Sequence, residues 1–95
     1  MSIVHVEISV RGFTEGEARR CLPALLDEFQ QRHWLLHPTA IWNTARSCLA
    51  IAVDYEGHDA TLCGQATLDE VRDCVVTCLQ TASNIRFDMD SSRIA

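Results

Sequence analysis

"IVHVEISVRGFTEGE", residues 3–17, holds a complete passage from strand to helix. Val4, Val6, Ile8 and Val10 alternate with His5, Glu7, Ser9 and Arg11, the period of two that marks a strand with one buried side. Gly12 ends the run. Thr14 and Glu17 then stand at T-x-x-E spacing. In that motif the hydroxyl accepts from the amide three residues on, and the glutamate side chain returns to the capping amide. A helix is therefore predicted from this point to about Arg32, with Ala18, Cys21, Leu22, Leu25 and Phe29 as its buried stripe. Pro23 removes one helical hydrogen bond. It falls beside the polar side made by Arg19, Arg20, Asp27 and Gln30, where the freed carbonyl can reach water, so a kink is expected and not a break.

Downstream, "HWLLHP" reads as a connector that tucks Trp34, Leu35 and Leu36 against the core. A short second strand is predicted over Thr39–Asn43, a turn at "NTAR", and a third strand over Cys48–Tyr55. Gly57 opens a loop of about ten residues, His58 to Thr67, long enough to draw attention as a functional candidate. Thr67 and Glu70 repeat the T-x-x-E spacing, which predicts a second helix from Leu68 to Thr81 with Leu68, Val71, Val75, Cys78 and Leu79 inward. "ASN" then breaks it, "IRFDM" alternates as a fourth strand, and "DSSRIA" reads as a polar tail.

The order is strand, helix, strand, strand, helix, strand over one domain, residues 1–95. This α+β pattern of two split halves resembles the ferredoxin-like βαββαβ plait. The resemblance implies a four-stranded antiparallel sheet, order 4-1-3-2, with both helices on one face, and the first and third strands were expected to be central and parallel. It transfers no activity, because this fold hosts many unrelated functions. The amino-acid-binding ACT domains share the topology, but "RGFTEG" stands where their Asp-x-Pro-Gly turn would be.

Composition excludes several function classes. The chain carries 13 acidic and eight basic residues, a net charge of -5, and the basic ones are scattered. Nucleic-acid binding draws on clustered cations, so no nucleic-acid partner is expected. All eight are arginine; without lysine, Schiff-base chemistry has no nucleophile. Arginine in place of lysine beside abundant alanine hints at a bacterial, GC-rich source. The longest apolar run, Cys48–Val53, falls far short of the ~20 residues of a spanning helix. No membrane segment or secretory signal is expected, and the cytoplasm is the default. Five cysteines without a C-x-x-C pair read as small buried hydrophobes.

The polar sides of the strands hold the candidate surface. His5, Glu7 and Arg11 share a face with Cys48, Ala50, Ala52 and Asp54, and with Arg86 and Asp88 of the fourth strand. Simple register pairs Arg11 with Asp54, and His5 or Glu7 with Arg86 or Asp88. Small side chains at Cys48, Ala50 and Ala52 leave a shallow trough where a solvated face would carry longer polar residues. Such a trough calls for cover by a second copy, a partner or a flat ligand, and Trp42 is expected to add an aromatic anchor.

Two other readings compete with this interaction surface. A small ligand could bind at the sheet end where Gly12, Gly57 and both helix N-termini were expected to meet, although Glu15, Glu17, Asp54, Glu56 and Asp59 make that end acidic. A small enzyme could use His5 with Glu7, or His58 with Cys63 in the loop that also holds Asp59. Neither His33/His37 nor Cys74/Cys78, each pair four residues apart, predicts a metal site, because Pro38 directly after His37 argues against a continuous helix through the first pair and the second lies on or beside a buried stripe. No cofactor is expected. A non-enzymatic module that forms a homo-oligomer or docks a protein partner, through its open face or a strand edge, is the favoured reading.

Overall fold

The computed structural model describes residues 2–79 and 84–94. Its elements follow in the order β1 (Ile3–Arg11), α1 (Glu15–Gln30), β2 (Leu36–Asn43), β3 (Cys48–Glu56), α2 (Ala60–Cys78) and β4 (Arg86–Arg93). The four strands form one sheet in the order β2-β3-β1-β4, with every neighbouring pair antiparallel. This is the ferredoxin-like plait, with both helices packed on one side of the sheet.

One part of the expectation is overturned. β1 and β3 are antiparallel, running from Ile3 opposite Glu56 to Val10 opposite Leu49. Gly12 and Gly57 therefore lie at opposite ends of the sheet, and so do the N-termini of α1 and α2. Gly12 adopts φ 113°, and a Cβ there would run into the Asn84 carbonyl. Gly57 donates its amide to the Ser2 carbonyl at 2.9 Å. A single ligand site that uses both glycines is thus ruled out by strand direction.

The inward rows of β1 and β3 are the predicted ones. Val4, Val6, Ile8, Val10, Leu49, Ile51 and Val53 are all buried to within 2%. Leu25 and Phe29 of α1, with Val71 and Val75 of α2, close the core above them. Full burial of each such side chain stabilises the fold by roughly 1.5–3 kcal/mol. Ile85, Phe87 and Met89 pack on the rim of this core, and the Arg72 guanidinium lies 5.4 Å from the Phe87 ring centroid.

α1 begins as its capping box predicts: the Glu17 amide donates to Thr14 Oγ1 at 3.2 Å, and the Thr14 amide donates to Glu17 Oε1 at 2.9 Å. The helix runs unbroken through Pro23, which sits exposed on the outer side. The second box fails. α2 starts two turns earlier, at Ala60, where the Asp59 side chain accepts from the Leu62 amide at 3.0 Å. The supposed loop from His58 to Thr67 is thus mostly helix. Thr67 is fully buried and donates its hydroxyl to the Cys63 carbonyl at 2.8 Å. Glu70 accepts from Arg32 at 2.9 Å, and Arg32 also reaches Glu28 at 3.0 Å, so one guanidinium ties the end of α1 to α2. α2 ends at Cys78 with Leu79 as its cap; the expected continuation over 80–81 and the first two residues of the breaker, 82–83, lie outside the described residues.

β2 starts earlier than expected, because a bulge between Leu36 and Thr39 absorbs His37 at φ 50° and Pro38. Leu35 is buried as predicted, whereas Trp34 is 48% exposed. β4 continues through the supposed tail, with Ser91 donating to the Ala60 carbonyl at 3.0 Å and Ile94 to Ile3 at 2.9 Å.

Candidate functional site

Among the described residues, the face of the sheet opposite the helices carries no second layer, and register fixes what it displays. From β2 to β4, four rows cross it. The first holds Leu36, Asp54, His5 and Ser92; the second Thr39, Ala52, Glu7 and Asp90; the third Ile41, Ala50, Ser9 and Asp88. The fourth brings Asn43 beside Cys48 and Arg11 beside Arg86. Every open-face residue singled out in the sequence lies on this surface. The trough is present too, as a cavity of about 300 Å³. Ala50, Ala52 and Cys48 form its floor, Ile41 and Thr39 one wall, Ser9 and Glu7 the other, and Asn43 and Arg46 the end.

The small floor has a simple origin. β3 spends its bulk on the helix side, where Leu49, Ile51 and Val53 meet the core, and leaves two alanines and a cysteine on the other. Cys48 is only 1% exposed although it lies outside the core cluster, next to the β2–β3 turn. That turn is held by Asn43 Oδ1, which accepts from the Arg46 amide at 3.1 Å, and by Ser47, whose amide reaches the Thr44 carbonyl at 3.3 Å. Ile41, by contrast, stands 66% exposed on the trough wall. Trp42 points the other way: it packs on the core and lies 6.0 Å from the Phe13 ring. The open-face apolar anchor is therefore Ile41, displaced from Trp42 by one residue, which on a strand is one face.

The charged pairs also differ from the simple register. Antiparallel pairing sets His5 opposite Asp54 and moves Arg11 to the far end. His5 Nδ1 lies 2.7 Å from Asp54 Oδ1, and its Nε2 lies 3.3 Å from Glu7 Oε1. His37 Nδ1 approaches the second Asp54 oxygen at 3.3 Å. The hydrogen bond to Asp54 is the main cause that raises the His5 pKa above 6.5, against the opposing effect of burial and with a further contribution from Glu7. The same bond holds the Asp54 carboxyl below its ordinary value, with His37 adding to the effect against burial. Both His5 nitrogens face carboxylates, and the trough lining includes Glu7 but not His5. The ring is held between the two carboxylates. Arg11 bonds Asp88 at 2.8 Å.

The second enzymatic pair does not form. Cys63 is buried in the core cluster, with its sulfur beside Gly57, whereas His58 is exposed and Asp59 caps α2. Cys21, Cys48 and Cys74 are buried as well. Burial pushes the Cys74 thiol up to about 11, and pushes Cys21 and Cys78 upward also, the reverse of what an activated thiolate needs. Among the described residues, no group of three or more His, Cys, Asp and Glu side chains is placed to hold a metal ion, and no helix is long and apolar enough to cross a membrane.

No protein-family model matches the chain, and no curated protein does. Solved structures match over almost its whole length. A proposed antibiotic biosynthesis monooxygenase from Chloroflexus aurantiacus J-10-fl superposes with a TM-score of 0.60 at 12% identity, covering 97% of this chain and 93% of the other. A dimeric ferredoxin-like protein from an uncultured marine organism gives 0.54 at 13% identity, covering 99% and 96%. SnoaB, a cofactor-independent oxygenase from Streptomyces nogalater, gives 0.51 at 12% identity, covering 99% and 95%. At these identities the likeness is one of fold.

Proposed function

We propose that the protein is a non-enzymatic interaction module that docks a second copy of itself through the open face of its sheet. The observation that carries this reading is the trough: a floor of Ala50, Ala52 and enclosed Cys48, walled by an Ile41 that is 66% exposed. Water gains nothing from such a surface, whereas a facing sheet removes the isoleucine from solvent and fills the space that the alanines leave. Closed two-fold dimers are the commonest assembly of identical chains, and a solved neighbour of this fold is named as dimeric. The burial of Cys63 and the double engagement of His5 disfavour the enzymatic readings, although two of the fold neighbours are named as oxygenases.

Sedimentation velocity at micromolar concentration tests the reading, with the mass of a dimer expected. Ala50→Arg places a long charged side chain in the trough and is expected to return the protein to a folded monomer. A wild-type chain that stays monomeric throughout that range refutes the proposal.

A further inference from the structure

Two like-charged pairs stand side by side on the open face. Arg11 lies directly opposite Arg86, and Glu7 directly opposite Asp90. Like charges facing each other across neighbouring strands are unfavourable, and relief inside the chain is partial: Arg11 bonds Asp88 at 2.8 Å and Glu7 meets His5 at 3.3 Å, while Arg86 and Asp90 have no ion-pair partner within 4 Å among the described residues. The pairs are placed symmetrically. Each lies two residues along β1 and β4 from the row of Ser9 and Asp88, one pair on either side, a displacement of roughly 7 Å.

From this placement we infer that two copies stack with their two-fold axis running across the strands at the row of Ile41, Ala50, Ser9 and Asp88. This rests on the self-association proposed above and specifies its geometry. The operation reverses strand direction and keeps each strand over its own copy, so Arg11 and Arg86 come to lie over the partner's Glu7 and the partner's Asp90, and the reverse holds on the other side. Ile41 and Ala50 lie on the axis row, where each meets its own copy and the trough is closed by apolar contact. Asp88 also lies on that row and faces the partner's Asp88, a like-charged contact that Arg11 of its own chain, 2.8 Å away, offsets. A two-fold axis along the strands would instead gather Arg11, Arg46 and Arg86 of both chains at one end, and the acidic residues at the other. The sign of the charges selects the first arrangement.

The test is a charge swap read by sedimentation velocity on the whole chain. Arg86→Glu alone and Asp90→Arg alone are each expected to weaken dimerisation by at least about tenfold, because each sets like charges against the partner in both symmetric contacts. Each should stay folded by circular dichroism, since each turns a like-charged pair within its own chain into an opposite one. Mixing the two variants is expected to restore the dimer, as both contacts then join opposite charges; the double variant Arg86→Glu/Asp90→Arg is expected to restore it also. If wild type is a dimer while the single variants associate as well as it does, or the mixture stays monomeric, this geometry is overturned and the self-association stands. A monomeric wild type overturns both.

Discussion

The two faces of the sheet are written by the same strands at alternate positions, and they obey different rules. On the helix side Val4, Val6, Ile8 and Val10 are wholly enclosed, and the helices above them allow one arrangement. On the open side His5, Glu7, Ser9 and Arg11 share the same backbone, yet they are set by charge and by the small neighbours Ala50 and Ala52. A mutation on the helix side is therefore expected to read out as folding, and one on the open side, under the proposed self-association, as a change in assembly. A matched pair of substitutions tests this division. Phe29→Ala, on the helix side, is expected to cost about 3–5 kcal/mol in urea unfolding, and Ser9→Ala, on the open side, less than about 0.5 kcal/mol. A comparable loss at Ser9 would mean that the open face belongs to the core of the single chain.

That division also marks how far the sequence could be read. Apolar alternation placed β1 correctly from end to end, and one capping box placed the start of α1, because each signal is local and had no competitor. α2 was misplaced because two such signals competed. Asp59 and Thr67 both offer a side-chain oxygen to a helix start, and Gly64 between them looked like loop. The structure decides for Asp59, since Gly64 is the residue that allows β4 to approach and Thr67 can return its hydroxyl to Cys63. Neither fact is local. Strand direction, likewise, is a property of the whole sheet: the antiparallel pairing of β1 with β3 separated Gly12 from Gly57 and moved Arg11 from Asp54 to Asp88. The membership of the open face was legible from period two, while its pairings and the role of Ile41 over Trp42 were not.

The packing between α2 and β4 offers a second, smaller contrast. A Cβ on Gly64 would come within 2.8 Å of Ser91 Oγ and 3.0 Å of Met89 Sδ, whereas one on Gly16 meets nothing closer than 3.9 Å. Gly64→Ala is therefore expected to lower stability by about 1–3 kcal/mol, the usual cost of overpacking. Gly16→Ala is expected to raise it by up to about 1 kcal/mol through helix propensity. Thermal melts of the two variants should move in opposite directions, and a Gly64→Ala protein as stable as wild type would show that β4 yields easily.

The smallest effect belongs to the open face and comes from His5. Its pKa is raised in the folded chain chiefly by Asp54, so its contribution to stability is complete below the unfolded value of 6.5 and is lost as pH rises through the folded value. Asp54 is lowered chiefly by His5, so its contribution is present above 3.8 and is lost as pH falls through its folded value. The pair therefore stabilises most between these two values, and its benefit fades toward alkaline pH. The His5 side chain is one-third exposed, and water screens the pair, which keeps the effect within the ~0–1 kcal/mol of surface ion pairs. The stability difference between wild type and His5→Ala, measured in urea at pH 6 and pH 9, should be larger at pH 6. An equal difference at both would mean that His5 contributes by packing alone. On the helix side, substitutions of Val4 and Val6, which flank His5 on the same strand, should cost the same at pH 6 and pH 9, because neither side chain titrates.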